Sequence, residues 1–335
     1  MPSKGYGMGI PAAIAIDFGG TNIRAALVTA EGSLLHHVST LTRVEEGVQP
    51  VVERMVALAE QVIAASGAGP EIPVGVVAPG PLDPDEGIIY FGPNLPGWRN
   101  VPLRAMLAER LGRRIVIGND GNGAALGEAM FGAARGCRHL IHVMIGTGFG
   151  SGIISHGQLI EGHRGLGAEV GHLPVNPDGP RCHCGGIGCL EAYVSGWAIA
   201  RDGEALAHSG RSEAIRRAAA GGPVTAELVA QAAQEGDEAA RSVFENAGRV
   251  LAVGLAGLVN VFNPELIVIG GGVAQVGDLL LDPLRRWLPH YAIKYIVDDV
   301  RILPSALGTD AGIYGAAARA FLVAGELSIG AVRLD

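Results

Sequence analysis

Residues 12–28 read AAIAIDFGGTNIRAALV. An apolar run from Ala12 to Asp17 ends in Phe18-Gly19-Gly20-Thr21-Asn22, and a second run, Ile23 to Val28, starts at once. Apolar runs of this length joined by glycine spell two strands and a tight turn. One such turn needs no ligand to explain it. The pattern returns, however: His139 to Ile145 leads into Gly146-Thr147-Gly148-Phe149-Gly150-Ser151-Gly152, followed by Ile153 to Ser155. Two strand–glycine turn–strand units make a weak internal repeat, carried by turn chemistry rather than residue identity. Free of Cβ atoms, such turns can aim backbone N–H groups at an anion. Gly19, Gly20, Thr21 and Asn22 from one half, and Gly146, Thr147, Gly148 and Gly150 from the other, are therefore expected to hold the β- and γ-phosphates of a nucleotide. Asp17 is a strand-end carboxylate that is costly to bury unpaired, and it is expected to face Mg²⁺ through water. Gly270-Gly271-Gly272, after the apolar Leu266 to Ile269, is a third place of close approach, with Gly271 and Gly272 suited to a nucleoside. It is not G-x-G-x-x-G, so a dinucleotide fold finds no support.

Outward from these turns the chain reads as α/β. Leu34 to Thr40 continues the first hairpin, and Val48 to Ile63 carries apolar residues at helical spacing, stopped by Gly67. Ile72 to Val77 is a buried strand. Pro79 to Pro102, rich in Pro, Gly and Asn, is expected to be a binding loop. A helix from Leu103 to Leu111, a strand from Arg114 to Ile117 and a helix opened by Asn119-Asp120 follow. Residues 160–191 form an irregular Gly/Pro/Cys-rich insertion. Helices are expected at Ser212 to Ala220, Thr225 to Glu235, Asp237 to about Val261, and Asp310 to Ala324. The expected division is a small domain, 12–117, with the C-terminal helix 310–335 packed back on it, and a larger domain, 118–309, carrying the 160–191 loop.

At 335 residues two domains are the natural prior. With 48% hydrophobic and 17% charged residues the chain is not dominated by disorder. A formal net charge of -8 gives no basic face for nucleic acid or an anionic membrane. Lys4 and Lys294 are the only lysines and no G-x-x-x-x-G-K-[ST] occurs, which excludes a P-loop. No apolar run was found to approach the ~18 residues of a membrane span, and the first residues lack a signal-peptide pattern. A cytoplasmic protein is the expectation.

The strongest local signal is Gly171-His172, nine residues, then Cys182-His183-Cys184-Gly185-Gly186-Ile187-Gly188-Cys189-Leu190-Glu191. Three thiols within eight residues with a histidine upstream suit a structural Zn²⁺ of the Cys₃His kind, with His172, Cys182, Cys184 and Cys189 as ligands. His183 is a rival for the fourth place. Four protein ligands leave no open position, so such a metal orders its loop rather than reacting. Asn119-Asp120 at a strand-to-helix junction is by itself an ordinary N-cap. At the switch between two α/β halves, however, Asp120 is also placed to accept a proton from a hydroxyl attacking phosphorus.

Together these residues resemble the ROK family, named for repressors, open reading frames and kinases, within the actin-like and hexokinase-like (ribonuclease H-like) ATPases. The resemblance runs from Ala12 to about Ala324, and the Cys-x-Cys-Gly-x-x-Gly-Cys-x-Glu run fits the family's zinc signature without departure. It implies a two-domain α/β fold with an interdomain cleft, ATP with Mg²⁺ as co-substrate, and Asp120 as general base. It also implies hexose contacts from Gly80, Asn94, Asn119, Asp120, Glu169, His172 and Glu191. ROK repressors carry a helix-turn-helix ahead of the first strand, for which the eleven residues before Ala12 are too few. Gly121 and Gly123 stand where family members often have alanine, which weakens the helix start by about 1 kcal/mol each. The resemblance implies a glucokinase acting on the 6-hydroxyl, with an N-acetylmannosamine or other hexose kinase, or a non-catalytic sugar sensor, as alternatives. Polyphosphate is an alternative donor, and a homodimer or a dimer of dimers the family habit.

Overall fold

The computed structural model describes residues 12–92 and 95–325, so Asn94 lies outside the described residues. β1 (Ala12–Phe18) and β2 (Asn22–Thr29) pair antiparallel from Ala12↔Thr29 to Phe18↔Ile23, which leaves Gly19, Gly20 and Thr21 as the turn. β3 (Leu34–Leu41) extends the hairpin on the β2 side. After α1 (Val48–Ser66), which Gly67 ends in the left-handed region at φ 67°, β4 (Val74–Ala78) runs parallel to β1. A parallel return needs such a crossover, and a helix supplies it. β5 (Leu82–Asp83), β6 (Ile88–Gly92) and β7 (Leu95–Val101) then form a separate three-stranded sheet. The stretch from Pro79 to Pro102, expected as a binding loop, thus contains strands: β7 buries Leu95, Trp98 and Val101, a spacing of three that hides a strand from a two-residue period. α2 (Leu103–Leu111) leads to β8 (Ile115–Asn119), parallel to β4, and directly into α3 (Asp120–Phe131).

β9 (Leu140–Ile145), β10 (Phe149–Ser155) and β11 (Gln158–Leu159) repeat the opening hairpin, with Gly146, Thr147 and Gly148 as the turn. A helical stretch follows: α4 (Glu191–Val194), α5 (Gly196–His208), α6 (Glu213–Ala219), α7 (Ala226–Gln234) and α8 (Glu238–Phe262). β12 (Leu266–Gly270) runs parallel to β9; α9 (Asp278–Tyr291) and α10 (Lys294–Val297) precede β13 (Arg301–Pro304), and α11 (Ala311–Ala324) ends the described chain. The two large sheets have the strand orders β3-β2-β1-β4-β8 and β11-β10-β9-β12-β13. The repeat glimpsed in two glycine turns is thus a repeat of whole-sheet topology.

Packing divides the chain into two units. One runs to Arg138 and takes in Gly152–Ala168 and the stretch from Ala306; the other comprises His139–Ser151 and Glu169–Ser305. The first unit includes α3, which the sequence division at 117/118 assigned to the second half; α3 lies here because it packs on α11. Alternation along β1 sorts its side chains by size. Ile14, Ile16 and Phe18 join the core with Val51, Val52 and Met55 of α1, while Ala13 and Ala15 face Ile313, Ala316, Ala317 and Ala320 of α11. Small residues on that face let α11 lie close to the sheet, and a Cβ at Gly75 would fall 1.9 Å from the Ala316 carbonyl oxygen. In the second unit α8 is, by length and composition, long and apolar enough to cross a membrane, which corrects the expectation that no such run exists. Of its most apolar window 61% is buried, and α4, α5, α7 and α9 pack on it, so the fold absorbs that surface.

α3 and α11 meet backbone to backbone. A Cβ on Gly315 would lie 2.2 Å from the Gly123 carbonyl oxygen, and one on Gly127 would lie 3.0 Å from Ala311 O and Gly315 N. The glycines that weaken α3 as an isolated helix are what allow this approach. Gly315→Ala is expected to destabilise the protein by about 1–3 kcal/mol, the usual cost of overpacking. Gly257→Ala, in open space on α8, is expected to gain up to about 1 kcal/mol. Urea unfolding of the two variants checks both signs.

Candidate functional site

In the first unit the Gly19–Thr21 turn is closed by Gly19 N–H donating to Asn22 O at 3.0 Å, and Gly20, Thr21 and Asn22 are exposed. Its outer side is tied down by Thr42, fully buried, whose hydroxyl donates to Gly19 O at 2.7 Å and whose N–H donates to Thr21 O at 2.8 Å. Arg54 in turn donates to Thr42 O at 2.9 Å. Bonded at the Gly19 and Thr21 carbonyls, the turn is held in place with Gly20 and Thr21 exposed.

Asp17 precedes this turn and is 7% exposed. Arg24, its cross-strand partner, donates to Oδ2 at 2.5 Å and reaches Asp310 at 3.6 Å. Asp17 also lies against the first turn of α11, where a Cβ on Gly312 would meet its Cγ at 2.6 Å. Burial raises the Asp17 carboxyl above the ordinary carboxylate value; Arg24 pulls it down and Asp310 adds to the rise.

Asn119 and Asp120 sit where β8 becomes α3. The Asn119 side chain caps the helix, accepting from Asn122 N–H at 3.1 Å, and Asp120 Oδ1 accepts from Gly121 N–H at 2.8 Å. Both residues are half-buried. The N-cap reading therefore holds for Asn119, and Asp120 is the first helical residue, its carboxylate favoured by the positive end of the helix. β4 and β8 bring Gly80 beside Asn119: a Cβ on Gly80 would lie 3.0 Å from Asn119 Nδ2. The end of β8 is fixed by Arg319 of α11, which is 8% exposed, donates to Ile117 O at 2.7 Å and pairs with Glu161 at 2.8 Å. Farther along α3, Glu128 is fully buried and accepts N–H groups from Ala133 and Leu307, at 2.7 and 3.1 Å, holding α3 to the segment that enters α11. Thr42, Arg319, Glu161 and Glu128 were not foreseen. Only Arg319 leaves a trace in the sequence, as the one charge within the small apolar run of α11.

In the second unit the Gly146–Gly148 turn closes by Gly146 N–H donating to Gly148 O at 3.0 Å, and α5 pins it through Gly196 N–H to Gly146 O at 2.8 Å. Thr147 is exposed, and Gly150 lies just beyond the turn on β10. Gly271, at φ 90°, packs on the end of β9, where a Cβ would come within 2.3 Å of Ile145 O; Gly272 beside it has open space.

The same unit holds the cysteine knot. His172 ends a one-turn 3-10 helix, Val170–His172, and Cys182, Cys184 and Cys189 follow in a segment ordered by the bridges Pro174↔Cys189 and Arg181↔Ile187. One ligand atom from each of the four lies within 4.8 Å of all the others. Cys184 and Cys189 sulfurs are 3.7 Å apart and Cys182 Sγ is 3.8 Å from His172 Nδ1. Tetrahedral zinc with bonds of about 2.3 Å spaces sulfurs by about 3.8 Å, so the set fits that ion. Burial holds the Cys182 thiol well above its usual range, a cost that a bound cation reverses. His183 stacks on Trp197 at 4.2 Å and is not in the cluster. Glu191, 8% exposed, accepts from Phe149 N–H at 3.0 Å and lies 3.5 Å from Cys182 Sγ. Glu169 reaches the surface, yet the poorly solvated surroundings of its carboxyl raise it above the ordinary value, with His172 opposing and Glu191 adding.

Comparison with known proteins agrees with the fold. The model of the ROK family matches residues 13–321. A protein of Thermotoga maritima named glucokinase is 40% identical over 308 residues, covering 91% of this chain and 95% of that one. The crystal structure of a ROK hexokinase from Thermus thermophilus superposes with a TM-score of 0.79 at 34% identity, covering 94% of this chain and all of that one. A ROK family glucokinase from Streptomyces griseus, solved in complex with glucose and AMPPNP, gives a TM-score of 0.76 at 34% identity, with 92% and 98% covered.

Because burial raises Asp17, the folded state keeps its proton at a pH where the unfolded chain has lost it. Stability from this group therefore falls as pH rises from the ordinary carboxylate value through the raised one. Asp17→Asn is expected to flatten that part of the stability profile and to leave melting at pH ~7 unchanged or higher. Thermal melts of both proteins across the acid range check this.

Proposed function

The chain belongs to the ROK family, and from that footing we propose that it is an ATP-dependent hexose kinase that phosphorylates the 6-hydroxyl of glucose. The observation that carries the reading is Asp120: a half-buried carboxylate, aimed by its place as the first residue of α3, in a chain that keeps both glycine turns. Support comes from relatives named glucokinase over more than nine-tenths of the chain, and from a structural neighbour that holds glucose and a nucleotide analogue.

In this proposal Asp120 accepts the proton of the C6 hydroxyl as its oxygen bonds to the γ-phosphorus. The bond from that phosphorus to the β,γ-bridging oxygen breaks, and ADP leaves. Phosphoryl transfer has a loose transition state, so positioning and charge neutralisation matter most, and a base contributes about 10²–10⁴. The N–H groups of Gly20, Thr21 and Asn22, and of Thr147, Gly148 and Gly150, would take the phosphates, while Gly19 and Gly146 close the two turns through their own N–H groups; Gly271 and Gly272 would take the nucleoside. Bound Mg²⁺ would neutralise phosphate charge, and Asp17 would hold it through water. Gly80, Asn94, Asn119, Glu169, His172 and Glu191 would bind the sugar hydroxyls, which need acceptors and donors in pairs. His172, Cys182, Cys184 and Cys189 would hold a structural zinc. The same proposal includes a homodimer or dimer of dimers, a cytoplasmic location and no nucleic-acid partner.

Asp120→Ala is expected to lower kcat about 10²–10⁴-fold while glucose still binds. ADP release from the variant, measured beside calorimetric glucose titration, checks both halves. Comparable kcat in the variant refutes the base assignment, and no turnover by the wild type on any hexose refutes the kinase reading.

A further inference from the structure

Glu191 reaches two separate pieces of chain with its two carboxylate oxygens. Oε2 accepts the N–H of Phe149, the first residue of β10 after the Gly146–Gly148 turn, at 3.0 Å, and a Cβ on Gly148 would lie 3.0 Å from the same oxygen. Oε1 lies 3.5 Å from Cys182 Sγ. Two more contacts run alongside. Val170 N–H donates to the buried Ser151 hydroxyl at 3.1 Å, and Gly171 packs so tightly on Phe149 that a Cβ would lie 2.8 Å from Phe149 Cβ and 2.9 Å from its carbonyl oxygen. Cys189 therefore reaches the start of β10 through Glu191, two residues farther along the chain, and His172 reaches it through Gly171 and Val170, whereas the Cys182 contact is an S–H bond of the neutral thiol.

We propose that the cysteine knot is the support of the Gly146–Gly148 turn, with Glu191 as the positioning residue. Metal in the knot holds the turn in its nucleotide-binding shape whether or not sugar is present. This rests on the reading that the turn takes phosphates. Two glycines make the turn entropically expensive to order, and donors aimed at an anion act only when they are held in place beforehand. The knot has backbone bridges but only a small apolar cluster, Cys182, Cys189 and Ala192 with Trp197 against them, so a bound metal adds to what holds its shape. The carboxylate-to-amide bond is charge-assisted and buried, and its loss leaves the Phe149 N–H without that acceptor.

The test is binding of Mg²⁺-AMPPNP without hexose, where a sugar contact by Glu191 contributes nothing. The proteins are wild type at one zinc per chain by metal analysis, wild type stripped by a chelator, and zinc-loaded Glu191→Ala and Glu191→Gln. Stripped protein and Glu191→Ala are expected to lose about tenfold in nucleotide affinity. Glu191→Gln, whose amide oxygen still accepts from Phe149, keeps most of it. Hydrogen exchange over residues 144–152 is expected to rise in the first two and not in the third, with β1 and β4 unchanged in all. Should stripped protein unfold, the Ala and Gln variants carry the comparison. Equal affinity and equal exchange in loaded Glu191→Ala and wild type overturn the coupling. Loaded wild type that binds glucose but no nucleotide overturns the phosphate-turn reading, and the coupling falls with it.

Discussion

The backbone contact between α3 and α11 is the constraint on which the first unit's chemistry depends. The two helices come too close for any side chain at Gly315, and nearly so at Gly127. That closeness brings the start of α11 against Asp17 at Gly312 and lets Arg319 reach the Ile117 carbonyl at the end of β8. One helix thus touches the two strand ends that carry Asp17 and Asp120. Glycine in a helix interior costs about 1 kcal/mol relative to alanine. Here that cost supports a fixed position for two carboxylates, which is what acid–base and metal chemistry at a phosphate requires.

The second unit solves a similar positioning problem by other means. Its Gly146–Gly148 turn is bonded by the helix start at Gly196 and flanked by a loop whose backbone bridges gather three thiols and an imidazole around one point. Much of the Leu173–Gly188 segment is exposed, so burial of apolar surface does little to hold it. A cation in the proposed site would add there to the ordering that a hydrophobic core supplies under β1 and β4.

The two glycine turns and the four-residue cluster were legible because few other residue types can do what they do: close approach without a Cβ at Gly19 and Gly148 in one case, thiols at short spacing in the other. Asn119-Asp120 was legible as a cap, and the structure gives that role to Asn119, with Asp120 as the first helical residue. The sheet of β5, β6 and β7 was not legible, since Leu95, Trp98 and Val101 recur at three and glycines and prolines interrupt the run. α9 was hidden by Pro283 and Pro289, residues that usually end helices; Pro283 instead packs against Gly248 of α8. Thr42 bonds to Gly19, Arg319 to Ile117 and Glu128 to Leu307 across 23, 202 and 179 residues of chain, through bonds that no local pattern encodes.

The central claim is that Asp120 takes the proton of a hexose hydroxyl while backbone turns hold the phosphates. A crystal structure of this protein with glucose and Mg²⁺-AMPPNP tests it most directly. The account predicts the Asp120 carboxylate within about 3 Å of the glucose C6 oxygen and the triphosphate on the N–H groups of the glycine turns. A C6 oxygen bonded to another acid, with Asp120 turned from the sugar, would contradict it.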